Sequence, residues 1–386
     1  MKIRFVFSLG LLLAASFSVQ ADKIIRVVDV AGNVDSLRAE IHEANRLAET
    51  HFTALRLSGD FQFGPHDSLP DIAGSLTLRG PARLIGGGSG ESSHLGDDKG
   101  PGYLFRIGPE AMLRLESLEI SDFSLNHDSD GLIVNSGSLH LEEVQFARVA
   151  VGYWCVKFCT PAMPMIANLK DADLLIYRVS MVNSGISSLG YASPFTGGLI
   201  YNKGEVNMAA SQVYLEKYGW ARSFHNSGSF YIRNSSFLFR DAGGEFENPL
   251  FGIPGSSPIR IVNSIVSGFD GATCQEAISD GFNLNDSAGC AWSSPNDLVG
   301  IPTGVHWRPV TAHWLYSRDQ ILTNAIVPMA SSPAVDSANA DWCDSNSLLR
   351  NGRFRGEGCD RGAVETVKVS LGEGGINGLY FNPDAD

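Results

Sequence analysis

Residues 132–146 read Leu-Ile-Val-Asn-Ser-Gly-Ser-Leu-His-Leu-Glu-Glu-Val-Gln-Phe. A short apolar segment meets an Asn-x-Gly corner, and a second segment then alternates apolar and polar residues. Related segments, some of them weaker, occur at 104–120, 165–182, 199–215, 223–239 and 258–269. Repeats of about 20–50 residues are typical of solenoids, and alternation with a period of two predicts strands rather than helices. The sequence therefore predicts an all-β solenoid of stacked parallel strands.

The corners of the repeats explain how such a chain would turn. Asn135, Asn202 and Asn226 are each followed two residues later by a glycine. Asn and Gly tolerate the left-handed backbone that a sharp bend requires, so we expect that conformation at these corners. A β-sandwich would pair sequential neighbours through hairpins, which the repeats do not favour. Parallel strands stacked turn upon turn are the better interpretation.

The first residues predict export from the cell. Lys2 and Arg4 precede an apolar core that ends near Phe17, and Ala21 provides a small residue for cleavage. This core is too short and wrongly flanked to span a membrane, so residues 1–21 are expected to be a secretory signal peptide. No later stretch is apolar for long enough to cross a bilayer. We expect a secreted protein that is extracellular, on the outer cell surface or periplasmic.

Charge and composition limit the partners. The formal net charge is −13, which disfavours nucleic acids and anionic membranes. The chain has 42 glycines and only 18% charged residues, as expected for many tight turns between buried strands. We expect a monomer.

Residues 35–45 predict the one convincing helix. Leu37 and Ile41 recur at helical spacing, and Asp35 or Ser36 is suited to cap the exposed amides. Such a helix would cover the open end of a stack of strands, whose unpaired edges otherwise invite aggregation.

The six cysteines form three close pairs, which in an exported chain favour disulfides that close local loops. The pairs are Cys155 with Cys159, Cys274 with Cys290, and Cys343 with Cys359. A redox pair or a metal site is the alternative. The first pair lacks the two-residue spacing of a redox motif, and no neighbouring His/Cys set completes a zinc site, so no metal site is predicted. Each bridge would stabilise a loop by about 2–4 kcal/mol.

The chain is predicted to divide into four segments. They are a signal peptide (1–21), a parallel β-helix with an N-terminal cap (22–270), an irregular disulfide-bearing C-terminal extension (271–370) and a linker or tail (371–386). The tryptophans of the irregular extension are expected to fill its core: Trp292, Trp307, Trp314 and Trp342.

Both ends of the chain resemble secreted bacterial β-helix proteins. Residues 35–45 are similar to the Ser-Leu-Arg-Glu-Ala helix that opens many of them, with Asp35 in place of a Cys that often precedes it. Residues 331–338 and 359–365 resemble the closing segment of the choice-of-anchor type, a Ser-Pro-Ala-Ile-Asp run followed by Arg-Gly-Ala-x-Glu. The resemblance implies a right-handed parallel β-helix of the pectin-lyase-like class over most of residues 24–368. It transfers no catalytic set.

The enzymes of this class are polysaccharide lyases and hydrolases. A lyase would need clustered Asp or Glu to hold calcium with an Arg or Lys nearby, and a hydrolase would need two carboxylates about 5–10 Å apart. The candidate acids and bases form no tight Asp-rich strand motif; they are Asp122, Asp128, Asp130, Asp171, Asp173, Glu216, Arg178, Lys217, Arg222 and Arg240. Catalytic residues are therefore not identified. No cofactor is expected, with calcium as an option for a lyase.

Aromatic residues in loops after successive repeats favour a binding site over a catalytic one. The predicted ligand-binding residues are Tyr153, Trp154, Tyr218, Trp220, Arg222 and His225. Flat aromatic faces suit sugar rings, and loops on a rigid scaffold often carry function. The alternative is that these rings pack the loops onto the strands. The sequence favours a non-enzymatic protein that binds a polysaccharide or cell-surface glycan; the alternative is a polysaccharide lyase or glycoside hydrolase.

Overall fold

The computed structural model describes residues 23–64, 67–87, 103–125, 130–153, 164–183, 185–188, 198–216, 224–240, 251, 256–268, 274, 276–286, 290, 292–312, 321–348 and 358–366. In this part of the chain the protein is an all-β fold of parallel sheets with one α-helix and two disulfides. None of the helices described there is long and apolar enough to cross a membrane.

The helix α1 spans Val34–Arg46. The strands are β1 Ile24–Ala31, β2 His51–Phe63, β3 Ser75–Gly86, β4 Phe105–Ile107, β5 Met112–Ser121, β6 Ser124–Leu125, β7 Ile133–Asn135, β8 Ser138–Glu142, β9 Gln145–Ala147, β10 Ala150–Tyr153, β11 Pro164–Asn168, β12 Asp173–Tyr177, β13 Ser180–Val182, β14 Gly185–Ser188, β15 Gly198–Asn202, β16 Glu205–Ala209, β17 Gln212–Glu216, β18 Phe224–Asn226, β19 Ser229–Arg233, β20 Ser236–Arg240, β21 Ile259–Val262, β22 Ile265–Ser267, β23 Ala277–Gly281, β24 Leu284–Asn285, β25 Leu298–Val299, β26 Val305–Ala312 and β27 Ile321–Pro328.

The strands form three parallel sheets that the chain visits in a fixed order. Sheet B contains β4, β7, β11, β15 and β18, sheet C contains β6, β10 and β14, and sheet A contains the other parallel strands. From β7 the chain passes from sheet B to two strands of sheet A, then to sheet C, and returns to sheet B at β11. We call one such passage a rung. Each strand pairs with the strands at the same place in neighbouring rungs, as β12 does with β8 and β16.

The apolar residues of sheet A point into a common core because side chains alternate along a strand. Leu139, Leu174, Val206 and Phe230 occupy the same register position in four successive strands, and all are buried. Full burial of a side chain of this kind contributes about 1.5–3 kcal/mol. The strand repeats seen in the sequence thus become columns of stacked apolar side chains.

A ladder of buried asparagines forms the corner between sheets B and A. Nδ2 of Asn135 donates to Oδ1 of Asn168 at 2.7 Å, Asn168 donates likewise to Asn202 at 2.8 Å, and Asn202 to Asn226 at 2.8 Å. None of these four residues has a positive φ, so the left-handed backbone predicted at these corners is wrong. The glycine is needed for a different reason: a Cβ at Gly137 would collide with backbone carbonyl oxygens of the preceding rung.

One left-handed position recurs instead between the two strands of sheet A in successive rungs. Glu143, Arg178, Ala210, Asn234 and Asn263 occupy this position in five successive rungs, with φ between 47° and 58°. The position accepts side chains of several kinds, so it leaves no constant residue in the sequence.

The helix α1 agrees with the predicted helix to within one residue at each end. Its buried residues are Leu37, Ile41 and Ala44, and the helix packs against β1 and β2. The predicted cap is wrong, because Oδ1 of Asn33 accepts the hydrogen bond from the backbone of Ser36. Asp35 forms an ion pair with Arg38 in the first turn at 2.6 Å.

Parallel pairing continues beyond residue 270, where the sequence predicted the end of the regular rungs. Strands β23 and β24 pair with β21 and β22, and β25 pairs with β24. The chain then folds back along sheet A as the C-terminal strap, which we define as residues 303–312, 321–348 and 358–366. It contains the antiparallel pair β26–β27 and a short 3-10 helix at Ala340–Trp342.

Polar side chains on the rungs hold the C-terminal strap. Gln212 accepts from the backbone N–H of Ile326 at 2.9 Å and donates to the carbonyl of Asn324 at 2.9 Å. Asn263 donates to the carbonyl of Asn339 at 2.9 Å and accepts from its N–H at 2.8 Å. The strap therefore satisfies polar groups on more than one rung.

The two disulfides are Cys274–Cys290 and Cys343–Cys359, the partners that the sequence pairs. The other predicted pair, Cys155 and Cys159, lies outside the described residues. Trp292 is buried as expected, and Trp307 stacks on Tyr214 with ring centroids 4.0 Å apart. Trp342 is 43% exposed, so the expectation that it fills a core is wrong. Trp314 lies outside the described residues.

Candidate functional site

Of the predicted ligand-binding residues, only His225 has a side chain that the structure describes. Tyr153 is described as a backbone position at the end of β10. The other predicted residues lie outside the described part of the chain: Trp154, Tyr218, Trp220 and Arg222. The site can therefore be built upward from His225 alone.

His225 stacks on a neighbour that the sequence analysis did not select. Its ring lies 4.7 Å from the ring of Tyr201, and the two planes differ by 19°. The Nζ of Lys203 lies 5.2 Å from the centroid of the Tyr201 ring. Nε2 of His225 is 3.2 Å from Oγ of Ser227. We call Tyr201, His225 and Lys203 the ring pair site.

The local sequence explains why these two rings meet. In β15 and β18 the residues on either side of each ring are buried, so Tyr201 and His225 point away from the core. The strands pair in parallel with Tyr201 opposite His225. Because paired strands are about 4.8 Å apart, rings at matched positions stack face to face. Each ring directly precedes an asparagine of the ladder, and aligning the repeats on that asparagine would have found Tyr201.

The ring pair site lies at one end of a column of outward residues on sheet B. The column runs from Arg106 through Val134 and Ala167 to Tyr201 and His225. Val134 and Ala167 are only 5% and 3% exposed. Tyr201 and His225 are partly exposed, so the described column offers accessible aromatic area at this end.

A group of charged residues on the outer face of sheet A is the second candidate. Arg114 pairs with Glu116 at 2.5 Å and with Glu142 at 2.6 Å. Arg178 pairs with Glu142 at 2.7 Å and with Glu143 at 2.8 Å. We call these five residues the charged cluster. The charged cluster links three successive rungs. The sequence analysis named Arg178 as a candidate, but it missed the acids that surround this residue.

The electrostatics of the charged cluster do not suit general acid catalysis. Burial alone would raise the pKa of Glu142, but the guanidinium groups of Arg114 and Arg178 hold that pKa below its usual value. Burial, reinforced by Arg114, lowers the pKa of the neighbouring His140. A catalytic acid at neutral pH requires a raised carboxyl pKa. Glu142 is instead an ionised group between two cations, which is the arrangement of a structural ion network.

The remaining candidate acids are dispersed. Asp122 accepts two hydrogen bonds from Arg148 at 2.6 and 2.7 Å, which lower its pKa. Asp130 pairs with Arg106 at 3.0 Å, and Asp171 lies in a turn with φ 64°. The described residues contain no group of three His, Cys, Asp or Glu that would hold a metal ion. Three candidates lie outside the described residues: Asp128, Lys217 and Arg222.

Comparisons with protein-family models, curated proteins and solved structures found no match to this chain. Function must therefore be inferred from the geometry of the chain itself.

Proposed function

We propose that this chain is a secreted right-handed parallel β-helix solenoid that binds a polysaccharide or cell-surface glycan without turning it over. The ring pair site carries this proposal: two stacked, partly exposed rings and a lysine on the outer face of sheet B. The resemblance to pectin-lyase-like proteins of the choice-of-anchor type belongs to the same proposal.

The solenoid is supported by the order in which the chain visits the sheets. Strands at the same place in successive rungs pair in parallel and in register, as in β8, β12, β16 and β19. The asparagine ladder repeats at one corner of each of four rungs. A chain that winds in one direction around a common core would produce both features.

Secretion is supported by the apolar N-terminal segment and by the two disulfides, because disulfides persist in oxidising compartments outside the cytosol. Glycan binding is supported by the chemistry of the ring pair site. Flat rings pack against the apolar face of a sugar, while the Tyr201 hydroxyl and Lys203 supply polar groups that fix its orientation.

Binding to a panel of acidic and neutral polysaccharides tests this proposal. We expect the mature protein to be retained on at least one of them and the double variant Tyr201→Ala/His225→Ala to lose about tenfold in affinity, or about 1.4 kcal/mol. Phe52→Ala is the matched control, since Phe52 is an exposed aromatic residue of sheet A with Nζ of Lys23 5.1 Å from its ring centroid. Normal retention of the double variant would refute the assignment of the site.

The alternative is a polysaccharide lyase or glycoside hydrolase. Its site would be the charged cluster, where carboxylates and guanidinium groups meet, although the lowered pKa of Glu142 does not suit a general acid. The same incubations distinguish the two functions when products are followed. A lyase would release unsaturated products that absorb in the ultraviolet, with or without added calcium, and a hydrolase would release new reducing ends. We expect neither. Product formed by the wild type and abolished by Glu142→Gln would replace glycan binding with enzymatic turnover.

A further inference from the structure

Trp342 forms a second aromatic surface, on sheet A rather than sheet B. It is 43% exposed, and its ring centroid lies 6.0 Å from that of Tyr231 at an angle of 48°. Tyr231 lies in β19 and is partly exposed. Two tilted rings from different segments therefore border one accessible surface, where the C-terminal strap meets the rungs.

The backbone of Trp342 is held firmly although its ring is exposed. Nδ2 of Asn234 donates to the Trp342 carbonyl at 2.7 Å. Three residues earlier, Asn339 exchanges two hydrogen bonds with Asn263, and its side chain caps the short helix through the N–H of Asp341 at 3.0 Å. These hydrogen bonds fix the backbone that carries an exposed indole, which reduces the ordering cost that a ligand would meet at this position.

Two ion pairs flank the rings, and the exposed Asp341 beside Trp342 adds a negative charge. Arg260, which lies opposite Tyr231 on the next strand, binds Asp280 at 2.5 and 3.0 Å. On the other flank, Arg233 binds Asp344 at 3.1 Å. Burial, reinforced by Asp280, raises the pKa of Tyr231, so its hydroxyl remains a donor at neutral pH. The surface thus combines ring faces, paired donors and acceptors and an exposed carboxylate, which match the hydroxyl groups of a neutral sugar better than they match an anionic ligand.

We propose that Trp342 and Tyr231 form a second saccharide-binding site, selective for neutral sugars. A sugar ring lies against the indole, and its hydroxyl groups bind the side chains of Arg260 and Asp280. The ring pair site differs because Lys203 adds a positive charge beside its rings. This second site stands on its own contacts and does not depend on ligand binding at Tyr201 and His225.

Tryptophan fluorescence tests the proposal in the full-length mature protein. The probes are cellohexaose and mannohexaose as neutral oligosaccharides, with hexagalacturonate as the charged comparator. We expect at least one neutral probe to protect the protein from acrylamide quenching, and Trp342→Ala to weaken its binding about tenfold by calorimetry. The thermal midpoint should barely change because the ring is exposed. Leu175→Ala, which removes another exposed apolar side chain of sheet A, is the matched control.

Each outcome decides the proposal. Retention of the neutral probe by Tyr201→Ala/His225→Ala, together with its loss in Trp342→Ala, supports a separate site. If only the double variant loses binding of the neutral probe, all binding lies at the ring pair site and the second site is overturned. The absence of a Trp342-dependent signal with both neutral probes, or stronger binding of hexagalacturonate through Trp342, also overturns it.

Discussion

The asparagine ladder and the C-terminal strap satisfy buried polar groups in two different ways. In the ladder, each asparagine binds the equivalent asparagine of the next rung, as Asn168 does with Asn135 and Asn202. At the strap, Gln212 and Asn263 bind a segment that follows them by 76 residues or more. The ladder is a property of the repeat itself, whereas the strap interface requires a remote part of the chain. We therefore expect the two regions to unfold separately when a substitution destabilises one of them.

Asn168→Ala should have the largest effect, because Asn168 lies in the middle of the ladder. Its Oδ1 accepts from Asn135, and the two hydrogens of its Nδ2 are shared among Asn202 and the carbonyls of Ala172 and Glu205. At about 1 kcal/mol for each of these three net hydrogen bonds, we expect the free energy of unfolding to fall by about 3 kcal/mol. Denaturant titration of the purified variant would measure the loss.

Asn207→Ala is the control for this substitution. Asn207 is exposed on sheet A and binds only a neighbouring carboxylate in the contacts described, at 2.8 Å. Its removal should change stability by less than about 0.5 kcal/mol. Equal effects of the two variants would mean that the ladder contributes no more than a surface amide.

The disulfides provide a matched comparison between the rungs and the strap. Cys274–Cys290 and Cys343–Cys359 each have a sequence separation of 16, so the loop-closure model assigns each about 3 kcal/mol. Replacing both cysteines of the first pair with alanine should lower the stability of the rungs. The same change in the second pair should release the strap first. Limited proteolysis of the two variants would distinguish these outcomes, and identical cleavage patterns would show that strap and rungs unfold as one unit.

Asn263→Ala tests the strap with a smaller change. It removes the two hydrogen bonds to Asn339, which corresponds to a loss of about 2 kcal/mol. Hydrogen exchange should accelerate in residues 334–348 and 358–366 while the core of the rungs stays protected. Exchange that accelerates first around the asparagine ladder would contradict the proposed independence of the two regions.

The sequence was informative wherever structure follows from local pattern. Alternation located the strands, helical spacing located α1, and cysteine spacing identified the two bridges. The sequence-based predictions failed where a residue or strand interacts with a partner outside its own local segment. Asn33 caps α1 instead of Asp35 or Ser36, and β23 to β25 extend the rungs because their pairing is with earlier strands rather than within their own short segments.

The candidate site shows the same limit. His225 could be selected from its neighbourhood of aromatic residues, but Tyr201 becomes its partner only through the register of β15 and β18. The sequence analysis expects Trp342 to fill the core of the irregular C-terminal extension, but the ring is 43% exposed. Its exposure follows from the way Asn234 and Asn263 hold the strap, and contacts over more than 70 residues leave no periodic signal in the sequence.

Lowering the pH should have the smallest effect on stability. It should remove a stabilising contribution from the rungs and add one to the C-terminal strap. In the rungs, the folded-state pKa of Glu142 is lowered from its ordinary value of 4.5, because Arg114 and Arg178 outweigh its burial. The stability contributed by Glu142 is therefore present above about pH 4.5 and is lost as the pH falls through its folded pKa. In the strap, burial raises the pKa of Asp360 above its ordinary value of 3.8. That carboxyl favours the folded state most when protonated, and its contribution declines as the pH rises through the raised pKa.

Thermal unfolding between pH 3 and pH 6 would separate these opposite contributions. Glu142→Gln should flatten the loss of stability on the acidic side, whereas Glu205→Gln, which changes an exposed acid of the same sheet, should leave it unchanged. Asp360→Asn removes the carboxyl whose stabilising contribution grows as the pH falls. The loss of stability on acidification should therefore become steeper than in the wild type. A shallower profile for Asp360→Asn would mean that the hydrogen bonds from Asp336 and Thr366 outweigh burial, and that rungs and strap respond to protons in the same direction.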